Sequence, residues 1–386
     1  MPVEGYAGLE RVVEALVKCL VRKGIEVEIF GVKGKKSLFG AKVHGITEKE
    51  QFESILRPMY DYSLAIPCAH MLKSLRKIQE DGGFDIIHDH NYFIGPSMLA
   101  NSAGCNGIPP AIHTIHGPQL TSKQHLKEGV FDNRNYWAAL QGSANLFLVP
   151  ISDAIKNAMP QELMGNMLTT VHNAVDVKTL PFVDRQGKKS YFITLARFCN
   201  DKGQHIAAKI CARKGYRLRM AGTVATIGST RKLMFEVANP LSRYRSDEDF
   251  KYYSDKVLPY LLRNPRITYS GAIGGRRKLT FLSEAKALLF PIQWDEPFGM
   301  SVIEALACGT PVVAMNRGAM PEIIEHGVTG FLANNEEEFA AYMKRVDEID
   351  PKACRKAVED KFSDDLMAER YIERYKEVIK RAGTKR

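Results

Sequence analysis

No stretch of this 386-residue chain approaches the roughly 18 consecutive apolar residues that cross a bilayer. The amino terminus has neither a basic start leading into an apolar stretch nor a small-residue cleavage site, so no export signal is read there. Cysteines are few and unpaired in pattern. The seven, at 19, 68, 105, 199, 211, 308 and 354, form no CxxC pair and have no histidines at zinc-finger spacing, and they are expected to be reduced thiols. Internal repeats and low-complexity segments are also missing. With 45% hydrophobic and 25% charged residues, the composition excludes disorder and collagen-like structure. These absences lead to the expectation of a cytoplasmic, soluble protein of two globular domains.

The net charge of +10 is unevenly placed. Residues 1–180 carry 18 Lys and Arg against 18 Asp and Glu, whereas residues 185–286 carry 22 against 7, a local excess of +15. Such a field attracts an anion: nucleic acid, a lipid surface or a nucleotide diphosphate. No nucleic-acid partner is expected, because the chain shows neither a recognition helix nor an aromatic RNA-binding signature. Peripheral contact with an anionic membrane stays open, although no concentrated basic amphipathic helix argues for it.

The periodicity describes alternating helices and strands. Leu9, Val12, Val13, Leu16, Val17 and Leu20 recur at steps of three and four, predicting a helix that Gly24 stops. Short apolar runs bounded by turn residues predict strands at Glu26–Phe30, Asp85–His88, Ala111–Ile115 and Leu146–Val149. The pattern restarts after the polar stretch Asp184–Ser190, read as an interdomain linker. Further strands follow at Tyr191–Ala196, Arg217–Ala221, Arg266–Ser270, Ala287–Ile292, Pro311–Met315 and Gly330–Ala333. Alternation of this kind predicts an α/β protein with two doubly wound parallel sheets, residues 1–180 and 190–361, and a final helix over 362–386 that packs against a domain face. Ligands in such folds sit beyond the carboxyl ends of the strands, and the cleft between two domains is the natural pocket.

Chemistry is therefore sought just after strands. Glu296 follows the strand Ala287–Ile292, and Glu304 lies about one turn into the next helix, so both carboxylates can face one site. Between them Phe298-Gly299-Met300-Ser301 opens that helix, presenting backbone N–H groups and the positive end of its dipole. Acids decorating a helix start for dipole compensation would explain Glu296 alone, but not Gly299 or an inward Glu304. Arg197, at a strand exit, and Lys202, just before a helix, can converge on a pyrophosphate, one in bidentate fashion and the other as a point charge. Either taken singly reads as a solvated surface charge. The turn containing Gly5 and Gly8 lets backbone approach a phosphate or sugar, although a plain helix entry explains it about as well. His116 ends a strand and can face the cleft, whereas His113 alternates away. His88-Asp-His90 suggests a metal but offers no clear third ligand, and Asp247-Glu-Asp249 lies after no apolar strand and reads as a solvated face.

Several of these segments together resemble a known family. Glu296-Pro-Phe-Gly with Glu304, Ala307-Cys-Gly-Thr-Pro-Val-Val313, Arg317-Gly-Ala-Met-Pro-Glu322 and Glu325-His-Gly-Val-Thr-Gly-Phe331 are similar to the donor half of retaining glycosyltransferase family 4. The Gly5–Val13 turn and helix, His116-Gly117, Val149-Pro-Ile-Ser-Asp153 and His172-Asn-Ala-Val-Asp176 fall in that family's order. The resemblance implies a GT-B fold, two Rossmann-like domains facing a central cleft, with 362–386 packing back on the first. It implies transfer of a hexose from a nucleotide diphosphate sugar to a sugar, lipid or small-molecule acceptor, with retention of configuration and without metal or other cofactor. On that reading Arg197 and Lys202 hold the diphosphate, and Glu304 binds ribose hydroxyls. Glu296 meets donor-sugar hydroxyls, the amides of Phe298 to Ser301 contact sugar and phosphate, and His116 approaches from the first domain. A sugar-nucleotide epimerase of similar architecture and a catalytically impaired sugar-nucleotide-binding protein are the alternatives. The sequence departs from the family pattern in three places. Ala7 and Ala174 stand where glycines are usual, and only Met1–Glu4 precede Gly5, too short for the strand that opens such chains. That strand is expected either upstream of Met1 or from another segment.

Overall fold

The protein is described from a computed structural model, covering residues 8–34, 36–47, 65–117, 120 and 132–383. It divides into two compact units, the first holding Val13–His172 and the chain from Asp365 on, the second Asn173–Asp364 together with the start of the first helix up to Val12. The division falls at His172/Asn173, ahead of the stretch read as a linker. Asp184–Ser190 is not a linker: Arg185 donates to the carbonyls of Asp347 and Ile349, and Lys188 to those of Ser283 and Cys308, which fasten it into the second unit.

The first unit contains β1 (Glu28–Val32), β2 (Ser37–Leu38), β3 (Ala41–Thr47), β4 (Ile87–Asp89), β5 (Ala111–Ile115) and β6 (Leu146–Pro150). Among the described residues these form two three-stranded sheets, β1-β3-β2 and β4-β5-β6, instead of the single sheet expected. β1 pairs only with β3, and β4 only with β5. The consequence shows in burial: β5 and β6 are buried throughout, while β1 is half-buried. β2 and β3 escape the sequence reading because Ala41-Lys-Val-His-Gly-Ile-Thr47 mixes polar residues and glycine into its alternation.

The carboxyl-terminal helix, Asp364–Gly383, belongs to this first unit. Met367, Tyr371, Tyr375 and Val378, spaced at three and four residues, are its buried stripe. Tyr371 hydroxyl meets Thr114 Oγ1 at 2.9 Å and Tyr375 hydroxyl meets His88 Nδ1 at 2.7 Å. Lys23 pairs with Glu369 at the helix rim. Phe362, expected in this helix, instead ends the preceding one, Pro351–Lys361, where its ring lies 5.8 Å from Phe298 in the second unit.

The second unit is one six-stranded parallel sheet of β7 (Tyr191–Leu195), β8 (Arg217–Ala221), β9 (Ile267–Tyr269), β10 (Ala287–Phe290), β11 (Val312–Met315) and β12 (Gly330–Ala333). Its order is β12-β11-β10-β7-β8-β9, a doubly wound sheet whose strand order reverses between β7 and β10. β7, β10 and β11 are buried at every residue, as strands covered on both faces must be. The connecting helices carry their own start and stop signals. Asp350 caps Pro351–Lys361 by accepting from Lys352 N, and Gly215 in the left-handed region ends Gln204–Lys214 behind Arg213 and Lys214.

Candidate functional site

The point where the strand order reverses is where a doubly wound sheet opens a crevice, because the chain leaves β7 and β10 in opposite directions. Here that crevice is flanked by the loops Ala196–Gly203 and Pro291–Gly299, which are tied together by Gln293 N donating to Asp201 O at 2.7 Å. Lys202 ends a 3-10 turn, Asn200–Lys202. The next residue, Gly203, has φ +63°, and a Cβ there would lie 2.0 Å from Pro291 O. Only glycine lets this loop close on the strand exit. The close approach delivers the Lys202 ammonium to Oε2 of Glu296.

Glu296 is 7% exposed, so its carboxylate needs partners. Among the described residues it has two: Lys202, and the Trp294 indole, whose Nε1 donates at 2.8 Å. The Lys202 ammonium also sits 4.8 Å from the centre of the Trp294 ring. Gly318, at φ +56°, packs against the Glu296 backbone so closely that a Cβ would meet its N and O at 2.3 Å. The loop bearing Glu296 is therefore fixed from behind as well as at its tip.

Met300–Ala307 forms the helix after this loop, with Gly299 in the left-handed conformation as its first cap and no capping side chain on its first N–H groups. Phe298 is buried, so its contribution to a ligand site is its backbone. Met300 and Ser301 are half-buried at the helix start. Glu304 is 7% exposed, and its Oε1 lies 2.6 Å from the Lys278 ammonium. Thr179, Leu180, Lys278, Leu282 and Glu304 line a cavity of about 190 Å³, smaller than the roughly 300 Å³ at which drug-sized pockets begin.

Arg197 leaves the end of β7 and its Nη1 stands 3.2 Å from Asp249 Oδ2. Gln204, itself buried, holds the Arg197 carbonyl at 2.8 Å. Asp249 was expected on a solvated face. The structure corrects this: Asp247 caps the helix Glu248–Tyr252, which turns Asp249 toward Arg197, and burial raises its pKa. Lys278 and Trp294 are further partners that sequence spacing does not single out. Trp294 lies within the informative stretch, but nothing marks its indole as a donor to a residue two positions on.

His116 stands in the first unit, where it joins a half-buried histidine cluster. His90 Nδ1 is 2.9 Å from His116 Nε2, the His88 and His90 rings are 4.1 Å apart, and His88 Nε2 meets Thr114 Oγ1 at 2.7 Å. His113 turns away and bonds Asp89 Oδ2 at 2.7 Å. Burial drives His90 down to about 4 and holds His88 and His116 well below the usual imidazole range, so the three stay neutral at pH 7. Gly8 begins the helix Gly8–Arg22, is exposed, and would carry a Cβ without touching any other described residue, so the described fold gives no steric reason for glycine there. Gly5 lies outside the described residues. Ala174 is buried and has no positive φ, so the turn tolerates alanine.

Two family descriptions match the chain in tandem: glycosyltransferase family 4 over residues 6–179 and glycosyl transferases group 1 over residues 178–362. The chain belongs to the group 1 glycosyltransferases. A D-inositol 3-phosphate glycosyltransferase of Pseudarthrobacter chlorophenolicus is 24% identical over 86% of this chain and 80% of its own. A glycogen synthase of Mycobacterium tuberculosis is 24% identical over 66% of this chain and 58% of its own. A 41.2 kDa protein of the Klebsiella pneumoniae cps region is 30% identical over 30% of this chain. The chain thus spans 34% and 58% of the first curated relatives it matches. Among solved structures, sucrose-phosphate synthase of Thermosynechococcus elongatus superposes with a TM-score of 0.72 at 19% identity, covering 96% of this chain and 94% of that one. HepE of Anabaena in complex with UDP gives 0.69 at 18% identity, covering 97% and 98%. These likenesses place the group 1 glycosyltransferase in the GT-B fold, with two Rossmann-like domains.

Proposed function

We propose that the second unit binds a nucleotide diphosphate sugar beyond β7 and β10, and that the protein transfers the sugar, a hexose, to an acceptor hydroxyl with retention of configuration. The observation that carries this reading is the meeting of Lys202 and Glu296 at the strand-order reversal, with Arg197 leaving the same strand end and Glu304 one helical turn beyond the Met300 amides. Cations and free N–H groups suit a diphosphate, while buried carboxylates suit hydroxyls of ribose and sugar. HepE has been solved with UDP and with UDP-glucose, which supports a donor of this class.

In the proposed step the bond from the anomeric carbon to the diphosphate oxygen breaks and a bond to the acceptor oxygen forms on the same face. The acceptor proton passes to the departing diphosphate. Arg197, Lys202 and the helix start at Met300 neutralise the charge that develops there, the task a metal ion would otherwise serve. Glu296 Oε2 already accepts from Lys202 and from Trp294. That engagement suits a residue that orients sugar hydroxyls better than one that attacks carbon, so the paired-carboxylate scheme of retaining glycosidases is not invoked.

A thermal-shift screen of nucleotide sugars identifies the donor, since a ligand bound only by the folded chain raises its melting temperature. Release of nucleoside diphosphate is then followed with and without candidate acceptors and with a chelator, and the product anomer is read by NMR. Acceptor-dependent, chelator-insensitive release with retained configuration is the expected result. Turnover without acceptor would instead indicate an epimerase, and binding without turnover a sugar-nucleotide-binding protein.

A further inference from the structure

A cavity lined by cations lies away from the candidate donor site. It measures about 220 Å³ and is lined by Arg185, Lys188, Lys189, Ser190 and Lys286, with Asp347 as the one carboxylate on its wall. Lys188, Lys189 and Ser190 immediately precede β7, and Lys286 immediately precedes β10. The cavity therefore opens at the amino-terminal ends of the strands whose carboxyl ends lead to Arg197, Lys202 and Glu296. The five residues of β7, at about 3.3 Å each, put roughly 16 Å of buried sheet between the two.

Three of the four cations, Arg185, Lys188 and Lys286, are held by partners, and charge compensation is slight. Arg185 is anchored on the carbonyls of Asp347 and Ile349, the latter at 3.0 Å, so its guanidinium is held without being neutralised. Lys188 reaches inward to Ser283 O and Thr310 Oγ1, both at 2.7 Å, and burial lowers its pKa to about 8. Lys286 takes the one carboxylate, Asp347, at 2.8 Å. Lys189 is exposed, and among the described residues no carboxylate pairs with it. Four cations against one acid leave three positive charges around a small cavity whose remaining wall is Pro311, Val346, Ile349 and Pro351, part of the local excess in residues 185–286 that the donor site does not use. Unrelieved repulsion of this kind favours a bound counter-charge.

We propose that this cavity is a second anion site, separate from the donor site, which takes a phosphoryl group through Arg185, Lys189, Lys286 and the Ser190 hydroxyl. The phosphoryl group is supplied by a phosphorylated small molecule or by a lipid headgroup. Its size, below that of drug-sized pockets, suits a phosphate or pyrophosphate moiety better than a whole nucleotide sugar.

The test is calorimetric titration of inorganic pyrophosphate into the full chain carrying Arg197→Ala and Lys202→Ala, which removes the two cations assigned to the donor diphosphate. Pyrophosphate is expected to bind still. Adding Arg185→Ala and Lys189→Ala is expected to weaken that binding by about tenfold or more, the effect of deleting a charge-assisted hydrogen bond. Lys189→Ala alone, which keeps the Arg185 anchor, serves if the larger variant folds poorly. In parallel, flotation with phosphatidylcholine vesicles is compared with flotation when phosphatidic acid is included. Acid-dependent flotation lost with Lys189 identifies a headgroup, and pyrophosphate binding without flotation identifies a free phosphorylated molecule. Pyrophosphate that fails to bind, or binds equally with and without Arg185 and Lys189, overturns the proposal. Because Arg197 and Lys202 are absent throughout and the comparison is made at Arg185 and Lys189, either outcome is independent of the donor assignment.

Discussion

Asp249 Oδ2 stands 3.2 Å from Arg197 Nη1, so a carboxylate already occupies the cation that would grip the donor diphosphate. Arg197 is half-exposed, and a pair of this kind contributes only about 0.2 to 1 kcal/mol. Asp249→Asn is accordingly expected to tighten nucleoside diphosphate binding by roughly 1.4- to fivefold, measured by calorimetry. Weaker binding would show that Asp249 positions Arg197 and does not compete for it.

Lys278 and Glu304 form a second such pair, and this one is nearly buried, at 16% and 9% side-chain exposure. Lys278→Met leaves the Glu304 carboxylate buried without its cation and is expected to cost about 2 to 4 kcal/mol in denaturant unfolding. The double variant with Glu304→Gln should recover much of that loss, because both charges are gone. Equal destabilisation in the single and double variants would mean that the two side chains are not coupled.

The histidine cluster predicts a stability that depends on pH. His90 titrates at about 4 in the folded chain against 6.5 when free, so the unfolded chain binds more protons between these values. The stabilisation is fully present above about pH 6.5 and is lost as pH falls through about 4, a change of about 3 kcal/mol from His90. His88 and His116 shift in the same direction for the same reason, burial. Unfolding free energy measured from pH 7 to pH 4.5 should fall, and His90→Gln should flatten the slope. A pH-independent stability would contradict the neutral, half-buried cluster.

Tyr375 connects the carboxyl-terminal helix to that cluster. Tyr375→Phe keeps the packing but removes the 2.7 Å hydrogen bond to His88 Nδ1, for an expected loss of about 1 to 3 kcal/mol. Ile379→Ala, on the same helix but 41% exposed, should change stability by less than about 0.5 kcal/mol. A reversed order in thermal melts would show that the helix packs through another face.

The second unit was legible in the sequence because β7, β10 and β11 are continuous buried runs, and turn residues bound Arg217–Ala221 and Gly330–Ala333 at the ends the sequence shows. The loops after them announce Lys202, Glu296 and Glu304 through glycine, proline and carboxylate spacing. Their partners were not legible. Asp249 and Lys278 reach the site from helices distant in sequence, and only the wound sheet brings them there. In the first unit, half-exposed β3 carries no clean alternation, and the histidines reveal their cluster only once β4 and β5 lie side by side. The stretch Asp184–Ser190 misled because a polar segment anchored by backbone carbonyls has the composition of a linker.

The most direct check is the affinity of Glu304→Ala for the nucleoside diphosphate that the intact chain binds, determined by calorimetry under identical conditions. Losing charge-assisted bonds to ribose hydroxyls should weaken binding by about tenfold or more, while Lys202→Ala should lower turnover more than binding. A Glu304→Ala protein that folds normally and binds as tightly as the unaltered chain would contradict the placement of the nucleotide beyond β10.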